Sequence, residues 1–324
     1  MASYLIRRIL YMVPIIFGVM VITFVLFFVV QSPTAMAKRI LGPKAKPEAI
    51  QNWLHNRGYD KPRFINTQPG ATWWDSQFVH QMKALATFDL GYSDATGESI
   101  ARMFRQGAIP SLLITVPSFI FGFLISLSAA LFFVFVRDSR TDLFGVILCV
   151  AMMSIPIQVY VIFGQWLIAV KTSYLPAFGF YLSGASTIKF LVLPVILYTL
   201  ADLGGEVRLY RTIFLEEIHQ EYVKTAQAKG VSPARVLFVH VLKNGMISII
   251  TLVVASLPFL IIGSLVLENF FGIPGLGNLT VNAIRTSDFA VVRTTVYLGS
   301  LLYLVGLLLT DICYAAVDPR IRFQ

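Results

Sequence analysis

The chain has 324 residues, of which 56% are hydrophobic and only 13% charged, with 26 Lys and Arg against 17 Asp and Glu. Soluble domains carry about 25% charged residues, so an ordinary water-facing enzyme and a disordered chain are both excluded. The net charge of +9 does not imply nucleic acid, because a membrane protein gathers its positive excess in cytoplasmic loops.

A helix that crosses a bilayer needs about 20 mostly apolar residues, since hydrocarbon offers the backbone no hydrogen-bond partner. The first such run, 9–30, follows Arg7-Arg8. The apolar region of a signal peptide has about 7–15 residues. This run is longer and reads as a retained anchor, although Ala35-Met36-Ala37 imitates a cleavage site. Segment 31–110 follows, with mixed charge, Pro62, Pro69 and Trp73-Trp74. It reads as an ordered external subdomain ending in an interfacial helix at 100–106, or as a solvated connector whose tryptophans anchor at headgroups. It carries ten Lys and Arg against six acids.

Further apolar runs at 111–136, 143–170, 190–203, 245–267 and 292–317 bring the spans to six. Within the second, Ser118, Gly122, Ser126 and Ala130 recur every fourth residue. Such a stripe lets another backbone approach closely, in the same chain or across a subunit interface. Pro117 and Pro156 mark kinks. Cys149 and Cys313 sit in apolar runs and read as packing residues. The fourth run is the weakest, with Asp202 and Glu206 at its trailing end, and is expected to continue as helix towards Tyr210. These two acids lie four apart on one helix face. They could meet a cationic group in a solute pathway, or pair with Arg208 or Arg211.

Six spans place both termini on one side. Short segments on that side hold twelve Lys and Arg, and the opposite short segments hold four. Both termini are therefore expected in the cytoplasm. The remaining ten lie in 31–110, which is too long to count. The fold class is an all-α polytopic membrane protein, divided into an anchor at 1–30, the external segment 31–110 and a core domain at 111–324.

No G-x-x-x-x-G-K-[ST] loop, H-E-x-x-H pair or G-x-S-x-G elbow is present. The four histidines show no metal-ligand spacing, and the span interiors offer only isolated Ser and Thr. No catalytic residue, metal or bound cofactor is expected. An ion-coupled secondary transporter is the alternative; it calls for an internal repeat and several mid-span carboxylates, and neither is evident.

The longest inner loop, within 215–245, reads as helix, tight turn, helix. Acids come early and Lys224 and Lys229 late, which suits the helix dipole. Gly230 ends the first helix, Ser232 can cap the next, and Pro233 suits its first position. Such a projection fits a soluble partner, and a plain solvated loop fits as well.

The residues Glu221-Tyr222-Val223-Lys224-Thr225-Ala226-Gln227-Ala228-Lys229-Gly230, then His240-Val241-Leu242-Lys243-Asn244, resemble the EAA loop of ABC importer permeases. The variant is that of the dipeptide, oligopeptide and nickel branch. The general E-A-A, Gly and I-x-L-P pattern reads here as Lys224-Thr225-Ala226, Gly230 and His240-Val241-Leu242-Lys243, departures expected of that branch. Tyr4-Leu5-Ile6-Arg7-Arg8 with Pro14 and Gly18 resembles the family's N-terminal anchor. Leu90-Gly91-Tyr92-Ser93 and Ile109-Pro110-Ser111 resemble its lead into the second span. Glu268-Asn269-Phe270-Phe271-Gly272-Ile273-Pro274-Gly275-Leu276-Gly277 is similar to its outer loop. Asp311, Tyr314 and Asp318-Pro319-Arg320-Ile321-Arg322 are similar to its C-terminal signature. The family often has Pro-Gly-Asp-Pro after span one, where this chain has Gln31-Ser32-Pro33-Thr34.

The resemblance implies a type I importer-like transmembrane domain, the first of two homologous permease subunits in a bacterial inner membrane. Two cytoplasmic ATPases that use ATP and Mg would drive it, and an extracytoplasmic substrate-binding protein would supply a peptide or related solute. It implies ATPase coupling through Glu221, Tyr222, Thr225, Ala226, Ala228, Lys229, Gly230, Ser232 and Arg235. Pro274, Gly275 and Gly277 would form an outer loop or gate. Asp202, Glu206 and Glu268 are candidates for the substrate pathway, with gating or helix–helix hydrogen bonding the other role for Glu268.

Overall fold

A computed structural model of the chain describes residues 2–30, 33–67, 72–182 and 184–317. The Gln31-Ser32 departure and the C-terminal motif at 318–322 fall outside them. In chain order the helices are α1 (Ala2–Phe24), α2 (Pro33–Leu41), α3 (Pro47–Asn56), α4 (Gln77–Ala86), α5 (Ile100–Phe135), α6 (Arg140–Met153), α7 (Ile157–Gly164) and α8 (Ala185–Ile218). Then come α9 (Glu221–Ala228), α10 (Pro233–Arg235), α11 (Leu242–Ser256), α12 (Phe259–Ile262), α13 (Leu265–Phe271), α14 (Leu276–Arg285) and α15 (Phe289–Val317). Wider π-helical turns continue α1, α7 and α10.

Five stretches are long and apolar enough to cross a membrane: Ile6–Val29, Ile100–Phe135, Thr187–Ile218, Pro233–Phe271 and Phe289–Cys313. A bent pair, Arg140–Met153 with Ile157–Lys171, makes a sixth. Three expectations change in detail. The run 143–170 is broken by a 90° bend, because Pro156 disfavours helix at Ile155 and itself stands extended, at φ −62°, ψ 146°. The interfacial helix expected at 100–106 is the beginning of α5 itself. The run 245–267 does not remain one helix: α11 ends at Ser256 ahead of Leu257-Pro258, and Gly263 turns at φ +77° before Ser264 caps α13 by accepting from the Leu267 N–H at 3.3 Å. The weak fourth run lies in α8, which reaches Tyr210 as expected and runs on to Ile218.

The chain divides into two compact units. The first holds residues 1–107 and 279–305. Its core is aromatic: Phe24 stacks on Phe28 at 4.9 Å, Phe78 meets Phe24 edge-on, and Trp53 stacks on Tyr59 at 5.6 Å. Two buried carboxylates tie the loop at 93–95 to the start of α15. Asp288 accepts from the Ser93 hydroxyl and from the Asp94 N–H at 3.0 Å, while Asp94 accepts from the Ala290 N–H at 3.2 Å and from Arg57 at 2.7 Å.

The second unit holds residues 108–278 and 306–324. The small-residue stripe of α5 packs against α8 of the same chain. Thr199 donates to the Ser118 carbonyl at 3.3 Å, Ser126 donates to Glu206 at 2.7 Å, and Ala130 is buried beside Tyr210 and Phe214. Cys149 is buried, as its apolar run suggested. At the start of α6, Ser139 accepts from the Asp142 N–H, and Asp142 takes both nitrogens offered by Arg211 at 2.9 and 2.7 Å. This two-pronged pair fastens α6 to α8. It also uses Arg211, which the sequence offered as a partner for Asp202 or Glu206.

Candidate functional site

Three groups of residues in the second unit stand out, and the loop after α8 is the most regular. The segment expected as one helix from Leu215 breaks at His219-Gln220, so α9 is a separate helix of eight residues. Its inner face, Val223 and Ala226, enters a buried cluster with Val236, Leu237 and Val241. Its other face is open, with Glu221, Lys224, Thr225, Ala228 and Lys229 all exposed. Gly230 ends it at φ +75°. The Gly230 N–H donates to the Gln227 carbonyl at 2.9 Å and the Val231 N–H to the Ala226 carbonyl at 3.2 Å. That pair of bonds is the Schellman arrangement, which needs a left-handed residue at the position Gly230 fills.

Ser232 and Pro233 take the first positions of α10 as expected, but the Ser232 side chain makes no capping bond. Tyr222 pins α9 from below by donating to Glu217 at 2.6 Å. Burial, and then the bond to Glu217, push its phenol up to about 12, so it remains a donor at neutral pH. The Glu221–Lys224 pair is 2.7 Å long but 86% and 64% exposed, so it adds little to stability.

Glu268 organises the second group. It is fully buried, and four donors converge on its carboxylate. The Ser111 hydroxyl at 2.8 Å and the Ser264 N–H at 3.1 Å reach Oε1, the Asn278 N–H at 3.0 Å reaches Oε2, and the Gly277 N–H also donates. An ionised carboxylate has about four acceptor sites, so its capacity is filled by the chain. Ser111 in turn accepts from the Leu276 N–H at 2.8 Å. The backbone closes so tightly here that a Cβ on Gly275 would overlap the Glu268 carboxylate, and one on Gly277 would stand 2.8 Å from the Leu265 nitrogen. Pro274 is exposed at the tip of this loop, whereas Gly275 and Gly277 are buried. Sequence reasoning missed Ser111 and Ser264 as partners. Their one signal was a hydroxyl at the edge of an apolar run.

The third group lies along α8. Asp202 is exposed, and Glu206 is half-buried with Ser126 as its donor. Neither has an ion-pair partner among the described residues. Tyr198 and Tyr210 extend the same four-residue spacing on both sides, a continuation the sequence reading did not single out. The described residues hold no cluster of three His, Cys, Asp or Glu side chains suited to a metal ion.

Residues 108–323 match the family described as binding-protein-dependent transport system inner membrane component. The chain belongs to that family. Residues 1–104 match the N-terminal component of the same transport-system membrane proteins. The permease is similar over its full length, and that of each relative, to three curated proteins. The glutathione transport system permease proteins GsiC of Shigella flexneri serotype 5b (strain 8401) and Escherichia coli (strain K12) are each 28% identical over 324 residues. The dipeptide transport system permease protein DppB of Alkalihalophilus pseudofirmus is 27% identical over 346 aligned positions. The permease is thus an all-α, multi-pass inner-membrane component of an ABC importer with a type I transmembrane domain. As a member of this family it has no ATPase site of its own, and family membership decides against the ion-coupled secondary transporter.

Proposed function

We propose that this permease forms half of the pathway that imports peptides or related small solutes, and that the loop within 215–245 couples it to a cytoplasmic ATPase. The observation that carries the coupling assignment is α9, a short helix with a buried inner face, a fixed glycine turn and an open outer face. A rigid helical peg transmits a push because its core contacts resist rotation, and its exposed face has room for a partner's groove. The other members of the assembly are a homologous second permease, two ATPases that use ATP and Mg, and an extracytoplasmic binding protein that faces the 31–110 side. The named substrates of the relatives, glutathione and dipeptides, support a peptidic solute.

Ala228 is exposed near the end of α9. In an Ala228→Cys variant, a bifunctional thiol reagent is expected to join the permease to a co-expressed ATPase carrying a cysteine in its docking groove, and the yield should change when ATP is added. If the joined product forms equally with Cys placed on the opposite membrane side, the coupling assignment fails.

Asp202 and Glu206 are the residues proposed for the pathway. Unpaired acids on a spanning helix are costly, and a cationic amino terminus would offset that cost as it passes. Glu206→Gln and Asp202→Asn are expected to slow uptake of a free dipeptide about tenfold while sparing its N-acetylated form. Equal effects on both forms, or none, would remove these residues from the pathway. Glu268 is proposed as a positioning residue that holds the outer loop, since its oxygens are already occupied.

A further inference from the structure

Within the first unit a cavity of about 480 Å³ opens beside Phe28, Arg57, Tyr59, Lys61, Tyr92 and Arg293. Its size is that of a small-molecule site, of roughly 300–1,000 Å³, and exceeds what an inorganic ion needs. Three cations line it, but their charges are not equally answered. Arg57 has Asp94 at 2.7 Å and Lys61 has Asp75 at 2.6 Å. Arg293 has no carboxylate within ion-pair distance among the described residues. Its guanidinium lies 4.9 Å from the centre of the Phe28 ring and meets the Tyr59 phenol, and its Nε is buried without a hydrogen-bond partner.

Asp94, the acid in the lining, is already engaged through both oxygens by Arg57 and the Ala290 N–H. Burial pushes the Tyr59 phenol up, so the phenol stays protonated and adds no negative charge. Arg293 is therefore the lining cation without a carboxylate of its own, at a half-buried position where an unpaired ion is costly.

We propose that this cavity binds the carboxylate of a small organic solute, with Arg293 as the anchor. The guanidinium fork matches a carboxylate in shape, and one cation without an ion-pair partner suits a monoanion. Phe28, Ala84 and Ala290 give the solute's hydrocarbon part a surface to cover.

The test uses the full chain in nanodiscs of phosphatidylcholine, with hippurate as the probe and hippuramide as its uncharged twin, followed by titration calorimetry. Hippurate is expected to bind with Kd below about 1 mM, and hippuramide at least tenfold more weakly. Arg293→Gln should weaken hippurate binding at least tenfold, and Lys61→Gln about threefold. Lys61 is partly exposed, so its variant keeps the test open if Arg293→Gln fails to fold. Equal binding of the two probes, or no effect of either substitution in a folded protein, would overturn the proposal. So would displacement of hippurate by equimolar inorganic phosphate, which marks an adventitious ion only, or loss of hippurate binding in discs of phosphatidylglycerol, which marks a lipid headgroup as the occupant.

Discussion

Glu268→Gln is expected to lower the thermal midpoint of the detergent-solubilised permease by about 5 °C or more and to cut uptake more than tenfold. The substitution keeps the shape of the side chain but turns one acceptor oxygen into an NH₂ donor. On the Oε1 side that group would face the Ser111 hydroxyl and the Ser264 N–H; on the Oε2 side it would face the Asn278 N–H. Ser111 can reverse its role on the first side, because its oxygen has a second lone pair besides the one that receives the Leu276 N–H, but the Ser264 N–H cannot. Either orientation therefore leaves at least one buried backbone donor opposed, the Ser264 N–H on one side or the Asn278 N–H on the other, at about 1–3 kcal/mol. About 2 kcal/mol is a drop of roughly this size, at about 2–4 °C per kcal/mol. Ser111→Ala removes one donor and one acceptor at the same place and should reproduce a smaller part of the loss. An unchanged midpoint and normal uptake in Glu268→Gln would mean that the carboxylate does not hold the loop.

What the sequence revealed and what it hid divide along a physical line. Spans are legible because lipid accepts only long apolar helices, so hydropathy located all six runs. It carries no information on direction, and the bend at Pro156 and the turn at Gly263 interrupt runs that are continuous in composition. Gly230 was legible for the opposite reason: the end of a helix followed by Ser-Pro leaves few residues able to turn left-handed. Partnerships across long separations were not legible. Asp142 and Arg211 stand 69 residues apart and Ser111 and Glu268 stand 157 apart, and neither pairing leaves a local pattern. Arg57 and Lys61 were visible among the bases of 31–110, but their meeting with Arg293 from α15 required the fold.

Gly230→Arg is expected to abolish uptake, by more than a hundredfold, while the complex still assembles in the membrane and its ATPases still turn over. Two effects combine. At φ +75° a residue with a Cβ is strained by about 1–2 kcal/mol, which loosens the two bonds that close α9. The long cationic side chain then occupies the open surface beside Ala228 and Lys229, where the ATPase groove is proposed to seat. No atom lies within 4 Å of where a Cβ would stand, so the folded core does not exclude the arginine and the damage is confined to docking. Graded substitutions separate the two effects. Gly230→Asn, which tolerates the left-handed conformation, should transport at close to the normal rate. Gly230→Ala adds strain without bulk and should lose about fivefold, the equivalent of about 1 kcal/mol. Arginine adds bulk and charge to the same strain, so its loss should far exceed that of alanine. If all three variants lose transport equally, the turn matters only as backbone; if Gly230→Arg transports normally, α9 does not dock an ATPase.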